Sequence, residues 1–354
     1  MKKRELWLDS LKGFCILLVV FCHSTLLSRE TIVGNVFMSL AWAAVPCFMM
    51  VTGGLLHHAA EFSWKRYLKR LAQTYLAMCV WRAVYFAVTC LIRVPACTRA
   101  DVISYLFYLK DIDGVNSDVM WYIAAYLICL LLLPVTWHLF NKCGTAGRKA
   151  LMFLAGVAVV SGTVCPSADW LLTLCFGNSF SVAKFTRFLP LTNYAHLVFF
   201  FLAGAFLYEY REKITERLGK WKNLAYVLLP AGIFLLMVVK YTQAGTFRWD
   251  NTYLKSGYTR VSTVILAVSL WFIFEKNASR LPRIQRFLAN VLGRNTLGIY
   301  YIHFLTLFVL RETVYPMIPW RGFGMNCAKT VAVTALSVIL TILMKKIPVV
   351  KKLV

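Results

Sequence analysis

Residues 4–27 read RELWLDSLKGFCILLVVFCHSTLL. The stretch is long and apolar enough for a membrane-spanning helix, yet it contains Asp9, Lys12 and His23. Ionisable groups at bilayer depth cost a few kcal/mol each, and they persist where they face a bundle interior or a wet cavity. Lys12 and His23 are eleven residues apart. At about 100° per residue they share one face, on the order of 16 Å apart along the axis. Asp9 falls within about 60° of Lys12 and about 40° of His23 by the same geometry. One polar stripe is therefore expected along a helix whose remaining circumference is Leu, Ile, Val and Phe.

A secretory signal would also begin with a basic run such as Met1-Lys2-Lys3-Arg4 followed by apolar residues. Against it, Asp9 and Lys12 interrupt the start of the apolar region, Phe21 spoils a lipoprotein-type cleavage before Cys22, and further long apolar segments follow at once. The stretch is expected to stay as the first span.

Composition extends that expectation to the whole chain. Of 354 residues, 60% are apolar and only 15% charged, which leaves almost no chain for a soluble domain. The net charge of +24 would point to nucleic acid in a soluble protein. Here the basic residues sit mainly in short connectors, where they orient a membrane protein and meet anionic lipid, so no nucleic-acid partner is expected. Of the eleven cysteines, Cys15, Cys22, Cys47, Cys79 and Cys129 fall inside expected spans, and no CxxC pair occurs, so neither a metal nor a redox site is implied. Cys97, Cys165, Cys175 and Cys327 fall in or near outer loops, where a disulfide is not favoured.

Ten spans are expected, near 6–27, 34–56, 71–93, 119–140, 150–165, 192–210, 224–242, 257–275, 293–312 and 325–344. With the N-terminus inside, inner connectors hold about 24 Lys and Arg against about 10 outside. The expectation is an all-α integral membrane protein: a bundle of about ten transmembrane helices, both termini cytoplasmic, with 1–354 forming a single membrane-embedded domain. Two longer outer connectors result. Residues 94–118 carry Asp101, Asp111, Asp113 and Asp118, and 166–191 carry Asp169, Asn178, Lys184 and Arg187. Polar loops of this length suit a hydroxyl-rich ligand or simply a solvated cap.

Four further stretches carry chemistry. Pro46–Leu56, PCFMMVTGGLL, ends in a Thr and paired glycines that allow close approach of a ligand or of another helix. Phe62–Tyr75, FSWKRYLKRLAQTY, places Arg66 and Arg70 one turn apart beside Lys65 and Lys69. That face suits an anionic group, and positive-inside anchoring explains it as well. Asn193–Leu207, NYAHLVFFFLAGAFL, sets His196 near the outer end of the sixth span. A lone histidine there is more often packed than reactive. Leu292–His303, LGRNTLGIYYIH, aligns Thr296, Tyr300 and His303 on one face, with His303 in mid-membrane.

In this order the stretches resemble the acyltransferase 3 superfamily of membrane acyltransferases, and most of all its fucose 4-O-acetylase-like branch. Lys12 and His23 fill the family's basic residue and histidine in the first span, after Trp7-Leu8-Asp9. Phe48–Gly54 resembles its aromatic run into Thr-Gly, and Lys65, Arg66, Lys69 and Arg70 its basic lead-in to the third span. Trp121-Tyr122 and Leu292–His303 resemble its later elements. Many members have Arg where this chain has Lys12, and Lys lacks the planar fork of Arg. The resemblance covers nearly the whole chain.

The resemblance implies transfer of an acetyl group from cytoplasmic acetyl-CoA to a sugar hydroxyl in a surface or exported glycan or a lipid-linked sugar, at the cell (inner or plasma) membrane. The residue types fit. A sugar hydroxyl needs a base as it attacks a thioester, and a histidine held out of water stays neutral for that task. His23 is the expected base, with Asp9 and His303 as further catalytic candidates. Lys12 suits a donor group or the developing oxyanion. Arg66, Lys69 and Arg70 suit the phosphates of the donor, while Trp121, Tyr122, His196 and Tyr300 are candidates for the acceptor. Direct transfer and an acyl-histidine intermediate are both compatible. The competing reading is a secondary transporter or polysaccharide exporter, but the Lys12–His23 stripe and the Thr52-Gly53-Gly54 element each lack the second copy that such repeats favour.

Overall fold

A computed structural model of the chain describes residues 5–24, 32–115, 117–177, 182, 194–219, 223–242, 257–277, 282–318, 322–348 and 350–353. Among them every regular element is helical, and no strand occurs. In chain order the first helices are α1 (Leu6–Ser24), α2 (Ile32–Ala41), α3 (Ala44–His57), α4 (Trp64–Ile92), α5 (Arg99–Leu106), α6 (Trp121–Asn141) and α7 (Gly144–Val159). They continue as α8 (Cys165–Phe176), α9 (Ala195–Leu218), α10 (Leu224–Tyr241), α11 (Val261–Lys276), α12 (Pro282–Phe287), α13 (Thr296–Thr313) and α14 (Phe323–Met344). Two π-helical segments, Val160–Val164 and Leu288–Gly293, extend α7 into α8 and follow α12.

Seven described helices are long and apolar enough to cross a membrane: Leu6–Ser24, Ile32–His57, Trp64–Ile92, Trp121–Asn141, Gly144–Phe176, Leu224–Tyr241 and Phe323–Met344. The other three expected spans coincide with α9, α11 and α13. The second half of α9 reads EYREKITERL, and α11 has 16 residues, roughly 24 Å against a hydrocarbon core of about 30 Å.

Three boundaries differ from expectation. The second span breaks at Trp42-Ala43, just before Pro46, whose missing N–H is tolerated in the first turn of α3. The expected outer connector 166–191 is helical as far as Phe176, because the π turn lets α7 run on into α8. Asn178, Lys184 and Arg187 lie outside the described residues. The 94–118 connector is also partly folded. Thr98 and Asp101 form a reciprocal cap on α5, and Lys110 pairs with Asp101 at 2.6 Å. The hydrogen bond from Lys110, aided by Thr98, holds the Asp101 carboxyl well below the usual carboxylate range. All eleven cysteines are free thiols.

The chain forms two compact units. One comprises 1–61 with 132–294, the other 62–131 with 295–354. In the first, α1 is a core helix: 67% of its span is buried, against 33% for α4 and for α14. It packs on α2, α3, α11, α12 and the Leu288–Gly293 segment. Two seams bring backbones into contact. A Cβ on Gly53 of α3 would overlap the Phe201 carbonyl of α9, and one on Gly204 of α9 would overlap the Met50 carbonyl of α3. Gly13 likewise meets the Leu288 carbonyl, and Gly293 meets that of Asp9.

In the second unit α13 packs on α4 and α14. The Tyr85 hydroxyl donates to the Tyr301 carbonyl at 3.0 Å. Trp81 stacks on Tyr301 at 5.2 Å. Lys345 donates to Asn295 Oδ1 at 2.7 Å, tying the end of α14 to the start of α13.

The seams generate a contrast. Gly204→Val should lower stability by about 1–3 kcal/mol, because the added carbons have no space between the two backbones. Gly156→Ala in α7, where an added Cβ meets nothing within 4 Å, should be neutral or stabilising by up to about 1 kcal/mol. Thermal unfolding of the detergent-solubilised protein, followed by gel filtration, checks both. Equal melting temperatures for the two variants would refute the seam.

Candidate active site

Because α1 is one unbroken helix, the Lys12–His23 register predicted from sequence holds. The two lie roughly 16 Å apart along its axis. Lys12 Nζ pairs with Asp9 Oδ1 at 2.6 Å, across one turn, with both side chains mostly removed from solvent. Asp9 is therefore the partner of Lys12. His23 occupies the last turn and is half-buried. Between the pair and the histidine, Ile16 and Val19 on the same face are fully packed. The expected stripe is thus two accessible polar points rather than one open track. The late Leu292-Gly293 element reaches the first of them, since Gly293 lies against the Asp9 carbonyl.

The paired glycines serve helix packing. Gly53 and Gly54 both face α9, which accounts for them without a ligand. Their carbonyls carry a further function. Gly53 O accepts from His57 Nδ1 at 2.9 Å, and Gly54 O from His58 Nδ1 at 2.8 Å. His57 Nε2 lies 3.0 Å from Thr136 Oγ1, so both its ring nitrogens are engaged. His58 Nε2 contacts Glu209 Oε2 at 2.8 Å, and Arg148 pairs with the same carboxylate at 3.3 Å. Neither histidine stood out in the sequence, although the repeated four-residue offset from Gly53-Gly54 to His57-His58 was there to be read.

His196 is buried near the start of α9, its ring parallel to that of Tyr258 at 6.2 Å. Trp42 meets the same tyrosine edge-on at 4.5 Å. The environment is that of a packed aromatic cluster. Asn193 lies outside the described residues.

The remaining candidates belong to the second unit. Arg66, Lys69 and Arg70 are exposed on the first turns of α4, whose N-terminus is capped by Ser63. At 29 residues α4 is about 43 Å long, some 13 Å more than the hydrocarbon core. Trp121 and Tyr122 open α6 and are half-buried. The Tyr122 and Tyr300 rings are 5.1 Å apart, and the Tyr300 hydroxyl donates to the Val119 carbonyl. His303 is fully buried one turn on, its ring 5.7 Å from that of Tyr300. Its Nδ1 lies 2.6 Å from the Tyr300 carbonyl and 3.1 Å from that of Ile299. A carbonyl only accepts, so Nδ1 carries a proton and Nε2 is the basic nitrogen. The structure brings Tyr122, Tyr300 and His303 together.

Two features of this unit escaped the sequence reading. Arg82 is buried in α4 and donates to the Tyr105 and Lys110 carbonyls, at 2.5 and 2.9 Å, and to Asp111 at 2.9 Å. It clamps the 94–118 connector. Along α14, Asn326, Thr330, Thr334, Ser337 and Thr341 are all buried. Their spacing of four, four, three and four residues lines one helical face. Asn326 Nδ2 and the Thr334 and Ser337 hydroxyls make no hydrogen bond among the described residues.

Compared with known proteins, residues 5–346 match the acyltransferase 3 family, described as an acyltransferase domain. No curated protein matches the chain significantly.

The Asp9–Lys12 pair is directly testable. A double-mutant cycle with Asp9→Asn and Lys12→Met should give a coupling of about 0.5–3 kcal/mol in unfolding free energy. Additive effects of the two substitutions would mean that the ion pair contributes nothing.

Proposed function

The chain belongs to the acyltransferase 3 family and is a multi-pass membrane acyltransferase, and from that premise we propose that it is an O-acetyltransferase of the fucose 4-O-acetylase-like type. Its donor is acetyl-CoA on the cytoplasmic side of the plasma membrane. Its acceptor is a hydroxyl of a surface glycan or lipid-linked sugar. In this reading α9, α11 and α13 complete ten spans and both termini are cytoplasmic. The observation that carries it is the family match over 5–346, which includes both the helix of Lys12 and His23 and that of Tyr300 and His303. The same match does not favour the exporter reading.

The roles follow from the residues. Arg66, Lys69 and Arg70, exposed on the first turns of α4, offer charge-assisted hydrogen bonds to the phosphates of CoA. His23 takes the proton of the sugar hydroxyl as its oxygen attacks the thioester carbonyl. The attack gives a tetrahedral oxyanion beside His23, while Lys12, roughly 16 Å away along α1 with Asp9 holding its ammonium in place, suits a group of the donor. Collapse breaks the C–S bond. The thiolate of CoA takes the proton back from His23, leaving a sugar acetate ester and free CoA. His303, with its Nδ1 proton committed to the backbone, presents Nε2 as a second basic nitrogen. Trp121, Tyr122 and Tyr300 offer aromatic faces to the sugar.

Purified protein, labelled acetyl-CoA and a pool of sugar acceptors test the proposal. Wild type should release free CoA only when an acceptor is present. His23→Gln should leave abundance near normal and cut transfer by about 10²–10⁴-fold. Arg66→Ala with Arg70→Ala should raise KM for acetyl-CoA more than it lowers kcat. Acceptor-dependent turnover retained by His23→Gln would remove His23 as the base. Wild type that never releases CoA would overturn the acetyl-transfer reading as a whole.

A further inference from the structure

Away from all these residues, the ends of α9, α10 and α11 enclose a cavity of about 400 Å³. Its walls are apolar, built from Ile214, Leu218, Leu224, Leu228, Val268 and Phe272. That size lies within the usual range for one small-molecule ligand, and the lining suits a hydrocarbon chain. Val227 and Tyr226, on the same helix as Leu224 and Leu228, are exposed large side chains, as expected where a helix faces lipid.

Three polar groups make the cavity more than a packing defect. Ser269 lines it, is 1% exposed, and its hydroxyl has no hydrogen-bond partner among the described residues. A buried hydroxyl left unpaired costs about 1–3 kcal/mol. Glu275 and Lys276 also line the cavity, where α11 ends. Lys276 donates to Asn223 Oδ1 and lies 5.3 Å over the Tyr226 ring. Glu275 makes no ion pair among the described residues. The charges acting on it are one cation, Arg211, and two carboxylates, Glu212 and Glu5. The half-buried carboxylate thus lacks a full counter-charge, while Lys276, next in sequence, has its ammonium on Asn223 and the Tyr226 ring.

We propose that this cavity binds one phospholipid with a phosphoethanolamine headgroup, its acyl chain among Leu218, Leu228 and Phe272 and its headgroup between Glu275 and Lys276. The headgroup ammonium has N–H donors for the Glu275 carboxylate, and its phosphate faces Lys276. A purely anionic headgroup would meet Glu275 with like charge. A trimethylammonium headgroup would offer it no N–H donor.

The full chain in detergent, exchanged against equimolar phosphatidylethanolamine, phosphatidylglycerol and phosphatidylcholine, decides by native mass spectrometry. Wild type should retain one lipid per chain, phosphatidylethanolamine about tenfold over either competitor, equivalent to about 1.4 kcal/mol. Glu275→Gln should keep the retained lipid but lose the preference. Ala225→Phe, which fills the cavity from its wall, should lose the lipid. Should Ala225→Phe fail to fold, the preference lost in Glu275→Gln remains the test. Equal retention of the three lipids by wild type, an unchanged preference in Glu275→Gln, or undiminished lipid in folded Ala225→Phe would each overturn the proposal.

Discussion

The closest constraint on this structure is the contact of one helix backbone with another where no side chain intervenes. Inside a membrane there is little hydrophobic force to drive helices together, and association relies on dispersion and on close approach. Gly53 and Gly204 give α3 and α9 that approach. From the seam follow the positions of His57 and His58, whose rings turn back onto the carbonyls of the same glycine turn. Glu209 and Arg148 then complete a charged cluster on the far side of it. The Gly13–Leu288 and Gly293–Asp9 contacts act in the same way on α1. They fix the turn that carries Asp9 and Lys12 against a segment nearly three hundred residues later in the chain.

Polar groups inside the second unit are handled differently in different places. Arg82 donates to two backbone carbonyls, a carboxylate and the Ser117 hydroxyl, so its burial holds a connector in place. On the polar face of α14, Thr330 and Thr341 donate back into the helix, while Asn326 Nδ2 and the Thr334 and Ser337 hydroxyls lack partners among the described residues. Buried hydroxyls that lack partners in protein call for water or a polar ligand.

Much of this was legible in the sequence for definite reasons. The register of Lys12 and His23 survived because an unbroken helix has only one geometry. The pairing of Asp9 with Lys12 was within reach, since a three-residue offset places them on adjacent turns. The breaks were less legible. Nothing in the composition of Val160–Val164 announces a π turn, so the sequence points to a loop where α8 stands. The packing of Ile16 and Val19 depends on neighbours that no local pattern names. Gly53-Gly54 could serve a ligand or a helix, and only the position of Phe201 decides. The buried face of α14 was readable by its helical spacing, but small hydroxyl residues blend into an apolar average.

The contact between α1 and the Leu288–Gly293 segment also bears on how the protein is made. Ribosomes add about 5–20 residues per second. Roughly 15–60 s therefore separate synthesis of Asp9 and Lys12 from that of the glycine that seats against them. Throughout that interval the first helix must reside in the bilayer, or at its threshold, with an ion pair whose final enclosure does not yet exist. The pair itself is local and can form at once, so each charge masks the other while the helix waits. Asp9 thus has an assignment in biogenesis that precedes any in catalysis: it keeps an ammonium-bearing helix acceptable to the membrane until the rest of its fold arrives.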